Sequence, residues 1–392
     1  MASVVGTSAD PARFGERLSE LRVTQVMLMA RGGRGRTTSA RFEYAATLNL
    51  ERWTMPDGEL TPAIWGEGFV EKRHPHTVLH EAMATLVRDV GLGALSVSAG
   101  KGIVPFGSDD PMVRPLVKYP ANHHLAQLLE RVTAVVAWRP VRTLALEAST
   151  FNGDEPVSPT AMPQWSRFGD SYAGRLTWAP RRAIEVTMSG ARVASPEFAS
   201  GAGLDQRKLH VGARLVHPSR GAYVLAEWAR TADMDGDRVA VRYRSALLEG
   251  AMPVRGVVAA LRLERTTRPE EERLVDPFRV QRPHSDFTVK GMTRWDLLTA
   301  QLARPLALPG AVHALALVEA TWASSAPRLR PVLLDPADVI GGRRTWYVSA
   351  AIRLGAGRMP TRVGRYGVAR GAAAAARPIT MWHDAAHPGH AP

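Results

Sequence analysis

Cysteine is absent from the 392 residues of this sequence. Its absence excludes a disulfide-stabilised scaffold, thiolate metal ligands and catalysis by a cysteine nucleophile. The chain also has no apolar run of the ~18–20 residues that a membrane-spanning helix requires. This second absence excludes helical spans, but it does not exclude membrane strands, whose signal is shorter and weaker.

The first residues also lack features of an exported chain. They have neither the charged start nor the apolar core of a secretory signal. We therefore interpret residues 1–22 as an N-terminal extension from which the signal is missing. No nucleophile elbow, phosphate-binding loop or dinucleotide fingerprint occurs in the sequence. The sequence thus predicts a protein that is not an enzyme and that holds no cofactor.

The charge balance is strongly basic. The formal net charge is +13, while 45% of the residues are hydrophobic and 22% are charged. Such a composition excludes a disordered chain and allows three kinds of partner, namely nucleic acid, an anionic surface or an anionic solute. A nucleic-acid protein concentrates its basic residues in one run or helix, whereas these arginines are scattered. We expect no nucleic-acid partner.

The strongest pattern is an alternation of apolar and polar residues with a period of two. In Phe42–Leu50 the apolar side chains share one face of a strand and polar ones share the other. Alternation of this kind predicts strands with one apolar and one wet face. It recurs at 183–189, 209–215, 239–247 and 346–354.

The connections between these strands alternate in length as well. Short turns are predicted at 139–141, 179–182, 217–221, 252–256 and 308–310, and polar loops lie between them, including 151–171, 231–237 and 266–287. This rhythm is typical of barrels in bacterial outer membranes, which have short periplasmic turns and long outer loops. We predict an all-β fold, a single antiparallel up-and-down transmembrane β-barrel of about 14–16 strands.

The predicted barrel occupies residues 23–354, with its first strand at Val23–Ala30. Residues 355–392 carry an alanine run and predict a mobile or loosely packed tail. The clearest short helix candidate is His123–Leu129, inside a long loop.

Four tryptophans lie at predicted strand ends. Because amphipathic rings gather where a membrane meets water, we expect these residues to form an aromatic girdle. They are Trp138, Trp178, Trp322 and Trp346.

Three segments resemble parts of the bacterial outer-membrane porins, in particular porin-like barrels related to phosphate-selective porins. They are SVSAGKGIVPFGSDDP at 96–111, FNGDEP at 151–156 and YVSAAIRLG at 347–355. The resemblance implies passive diffusion of small solutes through a water-filled lumen in the outer membrane of a Gram-negative-type cell. It gives no catalytic residues and leaves the oligomeric state open.

Charged residues on the wet faces are the candidate lumen lining. An arginine on a lipid face costs roughly 2–4 kcal/mol at the membrane midplane, so we assign these residues inward, where they would favour anions. Pairing with acidic residues across the lumen is an equal alternative. The candidates are Arg142, Glu185, Arg214, Arg242, Arg244, Arg262, Glu264 and Arg353.

A histidine cluster supports a different hypothesis. His74, His76 and His80 would share one face of a strand, which makes a metal site geometrically possible. Two other functions therefore remain open beside the channel. One is an occluded outer-membrane barrel with a structural or adhesive role, which inward folding of loop 102–127 would favour. The other is a soluble β-rich metal-binding protein.

Overall fold

A computed structural model describes most of the chain. The described residues are 2–10, 18–24, 26–35, 40–54, 76–156, 158–162, 164–217, 221–271, 289–309, 312–328, 335, 337–338, 342–357 and 362–373. Three short helices are included, α1 (Glu51–Thr54), α2 (His123–Ala126) and α3 (Val368–Ala373). The α2 helix confirms the helix expected within 123–129.

Strands make up most of the described chain. The first nine are β1 (Ala2–Asp10), β2 (Leu18–Thr24), β3 (Met27–Arg34), β4 (Ala40–Asn49), β5 (Leu79–Val90), β6 (Gly93–Gly102), β7 (Arg131–Val141), β8 (Leu144–Phe151) and β9 (Ser171–Arg181). The others are β10 (Ile184–Val193), β11 (Asp205–His217), β12 (Ala222–Asp235), β13 (Arg238–Val254), β14 (Val257–Glu271), β15 (Val289–Leu306), β16 (Val312–Pro327) and β17 (Arg344–Ala356).

These strands form one antiparallel up-and-down sheet. Each strand from β3 to β17 pairs with the next along the chain, β17 pairs with β1, and β1 pairs with β2. Only two residues separate β2 from β3, so these two strands count as one interrupted strand, which pairs with β1 through β2 and with β4 through β3. Counted in this way, the described sheet has sixteen strands, which agrees with the upper predicted number and with the even count of such barrels.

Burial along the strands is inverted with respect to a water-soluble protein. In β17 the residues Trp346, Val348 and Ile352 are exposed, whereas Ser349 and Arg353 are buried. The alternation follows from the period of two, because successive side chains point to opposite sides of the sheet. The apolar face is therefore on the outside of the barrel and the polar face lines its interior.

One predicted loop is in fact a tight hairpin. Residues 231–237 were expected to form a long loop, but β12 runs to Asp235 and β13 begins at Arg238. Gly236 adopts a positive φ of 57°, which permits the two-residue turn. The polar stretch that resembled a loop is the tip of the β12–β13 hairpin, whose strands are 14 and 17 residues long.

The barrel also extends beyond the predicted boundaries. Strand β1 and most of β2 precede residue 23, and the ladder of β1 on β17 pairs Ala2 with Leu354. Residues 2–10 and 18–22 therefore contribute to the wall, because β1 pairs with β17 on one side and with β2 on the other. At the other end, residues 363–369 are buried. In its described part the predicted tail thus lies inside the barrel, while 374–392 lie outside the described residues.

Two segments occupy the interior. The first is residues 103–130, called the inward loop below, which leaves β6 and is buried along nearly its whole length. It packs Met112, Leu116 and Val117 against apolar side chains of the inner wall, including Leu247 and Leu315. The second is residues 362–373, called the C-terminal segment below, which follows β17. Its helix α3 contacts β6, β7, β8 and β9.

Candidate functional site

The inner wall and its two inserted segments carry an almost balanced set of buried charges. Among the described residues, 11 lysines and arginines and 12 aspartates and glutamates are buried. The strongly basic character of the whole chain is therefore not reproduced in this buried set. Because burying a lone charge is costly, close opposite partners are expected, and the contacts below supply them.

Five of the eight predicted lumen positions are buried and lie on the inner face. They are Glu185, Arg214, Arg262, Glu264 and Arg353. Their neighbours along each strand point outward and are apolar except for Arg265 beside Glu264, so the burial of these five residues follows the period-two pattern. Whether these side chains meet a passing solute stays a prediction.

The other three predicted positions are exposed. Arg142 lies in the two-residue turn between β7 and β8. Arg242 and Arg244 lie on the outer side of β13, close to the tip of the long hairpin. The sequence assigned them inward because it placed Leu247 on the lipid face, but Leu247 faces inward and packs against the inward loop. Near a hairpin tip, an outward arginine avoids most of the cost that it would have at mid-depth.

The far end of the inward loop is held by carboxylates of the opposite wall. Glu319 accepts hydrogen bonds from the backbone nitrogens of Val117 (2.7 Å) and Lys118 (3.2 Å). Glu264 accepts one from the nitrogen of Ala121 at 2.6 Å. Arg262 donates to the carbonyl oxygen of Lys118 at 2.8 Å and also pairs with a wall glutamate. The predicted wall charges thus serve in part to fix this loop.

The near part of the loop makes a second set of ion pairs. Arg114 lies 3.2 Å from Glu227, and the hydroxyl of Ser108 donates to the same glutamate. Arg114 also approaches Glu249 at 3.9 Å. These contacts and the apolar cluster attach the inward loop to several different strands, so it is a fixed part of the interior.

Asp109 is the centre of the densest network. Its Oδ2 accepts from Arg214 of the wall at 2.7 Å and from Arg362 of the C-terminal segment at 2.8 Å, and its Oδ1 accepts from Arg365 at 3.1 Å. Burial alone would raise the pKa of Asp109, but the surrounding guanidinium groups, Arg362 foremost, hold it well below its usual range. Asp109 is therefore ionised and joins the inward loop, the wall and the C-terminal segment.

Sequence reasoning missed most of this network. Asp109 entered the sequence analysis only as part of the segment 96–111, and Arg362 and Arg365 fall within residues 355–392, which were predicted to form a mobile or loosely packed tail. One signal was available, because the two arginines lie three residues apart beside Gly364 and Gly367, a pattern that differs from the alanine run behind it. Their partners could not be found, since Asp109 lies more than 250 positions away in sequence.

The described histidines do not form a metal site. His80 Nδ1 lies 2.7 Å from Glu130, and its ring lies 5.4 Å from that of His76. His74 lies outside the described residues, and no group of three potential ligands occurs within the described part of the chain. In that part, His80 is a member of a buried ion pair because the nearest carboxylate binds it directly.

The four predicted girdle tryptophans are all partly exposed on the outer side. Trp322 and Trp346 pair across β16 and β17 near the long-loop end, and Trp138 donates to the carbonyl oxygen of Leu92 at a short turn. That these tryptophans form an aromatic girdle in contact with lipid stays a prediction. No helix within the described ranges is long and apolar enough to cross a membrane.

Comparison with known proteins shows which solved structures share this fold. No protein-family model and no curated protein matches the chain. Among solved structures, the chain is similar to an anion-selective porin from Comamonas acidovorans, with 11% identity, a TM-score of 0.53 and coverage of 91% of this chain and 99% of the other. The in-vitro folded outer membrane protein OmpT of Vibrio cholerae gives 7% identity, a TM-score of 0.53 and coverage of 90% and 98%.

A third structure agrees with these two. Pseudomonas putida OprB gives 9% identity, a TM-score of 0.51 and coverage of 90% of this chain and 92% of the other. At these identities the likeness shows the fold alone, an antiparallel up-and-down barrel like that of porins. The closer resemblance to phosphate-selective porins stays a prediction.

Proposed function

We propose that this protein is a porin-like barrel of a Gram-negative-type outer membrane that lets small solutes diffuse between its two sides. The observation that carries the proposal is the inverted burial, with leucine, valine and tryptophan side chains outside and ion pairs inside. In water such an outer face would be an aggregation surface, whereas in lipid it is the stable arrangement. The likeness to structures titled porin and outer membrane protein supports this location.

Two observations bear on the class of solute. One similar structure is titled anion-selective, and the whole chain has a net charge of +13. The buried charges of the described interior are nearly balanced and add no anion preference. We therefore propose passage of small solutes, with a preference for anions as the finer part of the proposal. We propose no catalytic role and no cofactor.

An occluded barrel with a structural or adhesive role is the second candidate. It is favoured by the inward loop and the C-terminal segment, which both fill the interior. A soluble metal-binding protein is not supported, because its outward apolar face would need a second covering layer.

The test of the proposal is reconstitution of the purified chain. We expect its gel mobility in detergent to change on boiling, as for a closed membrane barrel, and we expect proteoliposomes to release trapped small ions. Solubility without detergent and an unchanged mobility would exclude the membrane barrel. A heat-dependent change in gel mobility would instead support the occluded barrel if neither the wild type nor any variant of the C-terminal segment released ions.

A further inference from the structure

The C-terminal segment occupies the interior without belonging to the sheet. After β17 ends at Ala356 and Gly357 follows, the chain is next described at residue 362, already beside Asp109 inside the barrel. Helix α3 then packs Val368 and Ala369 against Val87 and Ala94, close to the short turn between β5 and β6. No ladder between the described strands includes this segment, so its departure would leave those ladders intact.

We propose that the C-terminal segment is a releasable plug, which closes the barrel from its short-turn side when seated and opens a path for solute when it leaves. This inference rests on the proposed channel function and adds a control element to it. The plug is made of this chain itself and needs no other molecule to close the barrel.

Charge contacts hold the plug in place. Arg362 donates to both oxygens of Glu185, and Arg365 donates to the hydroxyl of Thr177 at 2.6 Å. Bidentate arginine–carboxylate contacts of this kind are specific in geometry as well as strong. Tyr366 adds a hydrogen bond to Glu81 at 2.9 Å. The segment is therefore seated in one defined position.

The wall keeps ion pairs of its own when the plug is removed. Arg175 donates to both oxygens of Glu147 at 2.6 and 2.7 Å, and Arg214 remains 2.7 Å from Asp109. Asp109 and Glu147 thus retain an arginine without the plug, and so does Glu81, which Arg31 contacts at 3.2 Å. A polar surface that remains charge-compensated can be wetted, which is what an open state requires.

The inward loop is less able than the C-terminal segment to leave the interior. It is joined to strands at both ends, and its apolar side chains form one cluster with those of the wall. The C-terminal segment buries few large apolar side chains in comparison and depends on polar contacts, which water can replace. Of the two segments in the interior, it is the one suited to leave.

Two glycines allow the plug to lie close to the wall. Gly367 has a φ of +50°, and a Cβ there would come within 2.5 Å of the Cβ of Ser96. Gly364 has a φ of +92°, and its Cβ would lie 2.9 Å from Ile103. A side chain at either position would push the plug away from the wall or from the inward loop, so these glycines offer a way to unseat the plug without changing its charge.

The first experiment compares two glycine variants of the full chain in planar lipid bilayers. Gly367→Ala should raise the time-averaged conductance at least tenfold, because the added methyl group clashes with Ser96. The matched control is Gly256→Ala in the turn between β13 and β14. Its φ of +83° makes it comparably strained, but a Cβ there has no neighbour within 4 Å. Its conductance should equal that of the wild type.

The second experiment locks the plug. The backbone nitrogen of Val368 donates to the hydroxyl of Ser96 at 3.1 Å, so a Ser96→Cys and Val368→Cys pair lies within reach of a disulfide. The chain has no other cysteine to interfere. Placed on an Arg362→Gln and Arg365→Gln background, the oxidised pair should return the conductance to the wild-type level, and a reductant should raise it again.

Labelling of a single Val368→Cys thiol by a maleimide reports where the plug is, independently of current. More labelling and more current in the unseated variants support the proposal. A current that is equal in oxidised and reduced pairs overturns the plug but leaves the channel function. Thiol labelling that stays low in both Gly367→Ala and the arginine variant shows a fixed segment and also overturns it. Full labelling without current shows that the barrel does not conduct, so the proposed function fails.

Discussion

Arginine substitutions at two depths test whether the outer face contacts lipid. Val318 lies on β16 between Trp322 and the short-turn end of the strand, and 53% of its surface is exposed. Val239 lies near the tip of the β12–β13 hairpin and is 45% exposed. The two valines have similar exposure and differ in their height on the barrel. Val318→Arg and Val239→Arg therefore introduce the same charge at different depths.

The expected magnitudes follow from these heights. An arginine near the membrane midplane of a barrel costs about 2–4 kcal/mol, and near the interface this falls to about 0–1 kcal/mol. Val318 is four residues from Trp322, which is about 13 Å along a strand and close to the middle of the apolar band. We therefore expect Val318→Arg to lower the free energy of unfolding by about 3 kcal/mol and Val239→Arg by less than about 1 kcal/mol.

The assay is equilibrium unfolding in a denaturant from lipid vesicles, followed by tryptophan fluorescence. The difference between the two variants is the measured quantity, because a general effect of arginine on folding cancels. In a water-soluble barrel both exposed positions would tolerate arginine within about 0.5 kcal/mol. Equal small losses for the two variants would therefore refute the assignment of the outer face to lipid.

Three other predictions concern the interior. Glu319→Ala should destabilise the inward loop by about 1–3 kcal/mol, because buried backbone donors lose their acceptor. Glu319→Gln keeps an acceptor oxygen and should retain most of the stability. Limited proteolysis of the loop measures both effects. The pKa of Asp109 in the folded protein lies well below its ordinary value of 3.8, so the stability that its ion pairs contribute is complete above pH 3.8 and is lost as the pH falls below that value. Maleimide labelling of a Val368→Cys thiol should therefore stay low at pH 5. Labelling that rises between pH 7 and 5 would contradict this prediction. Replacing Arg362 and Arg365 by glutamine removes two positive charges from the interior, so the reversal potential in a salt gradient should move toward cation selectivity; no shift would place both side chains off the ion path.

The sequence predicted the wall well because the wall depends on a local rule. Two successive residues of a strand point to opposite sides, so the position of Glu185 between Ile184 and Val186 was sufficient to place it inward. The same rule failed for Arg242 and Arg244. There the interior is itself apolar, since Leu247 packs on the inward loop, and periodicity does not tell an apolar interior from a lipid face.

The contents of the barrel could not be predicted in the same way. Asp109 and Arg362 are joined through a contact that no periodicity encodes, and each alone is an ordinary polar residue of a loop or a tail. A wall of paired charges has a different consequence from a wall of one sign, because paired charges can hold a segment of the chain as well as a solute. Five inward positions were assigned from the sequence as a solute path, yet Glu185 holds the C-terminal segment and Glu264 holds the inward loop. In this barrel the residues that could select a solute are thus largely those that decide whether the lumen is filled, so selectivity and closure should change together when they are substituted.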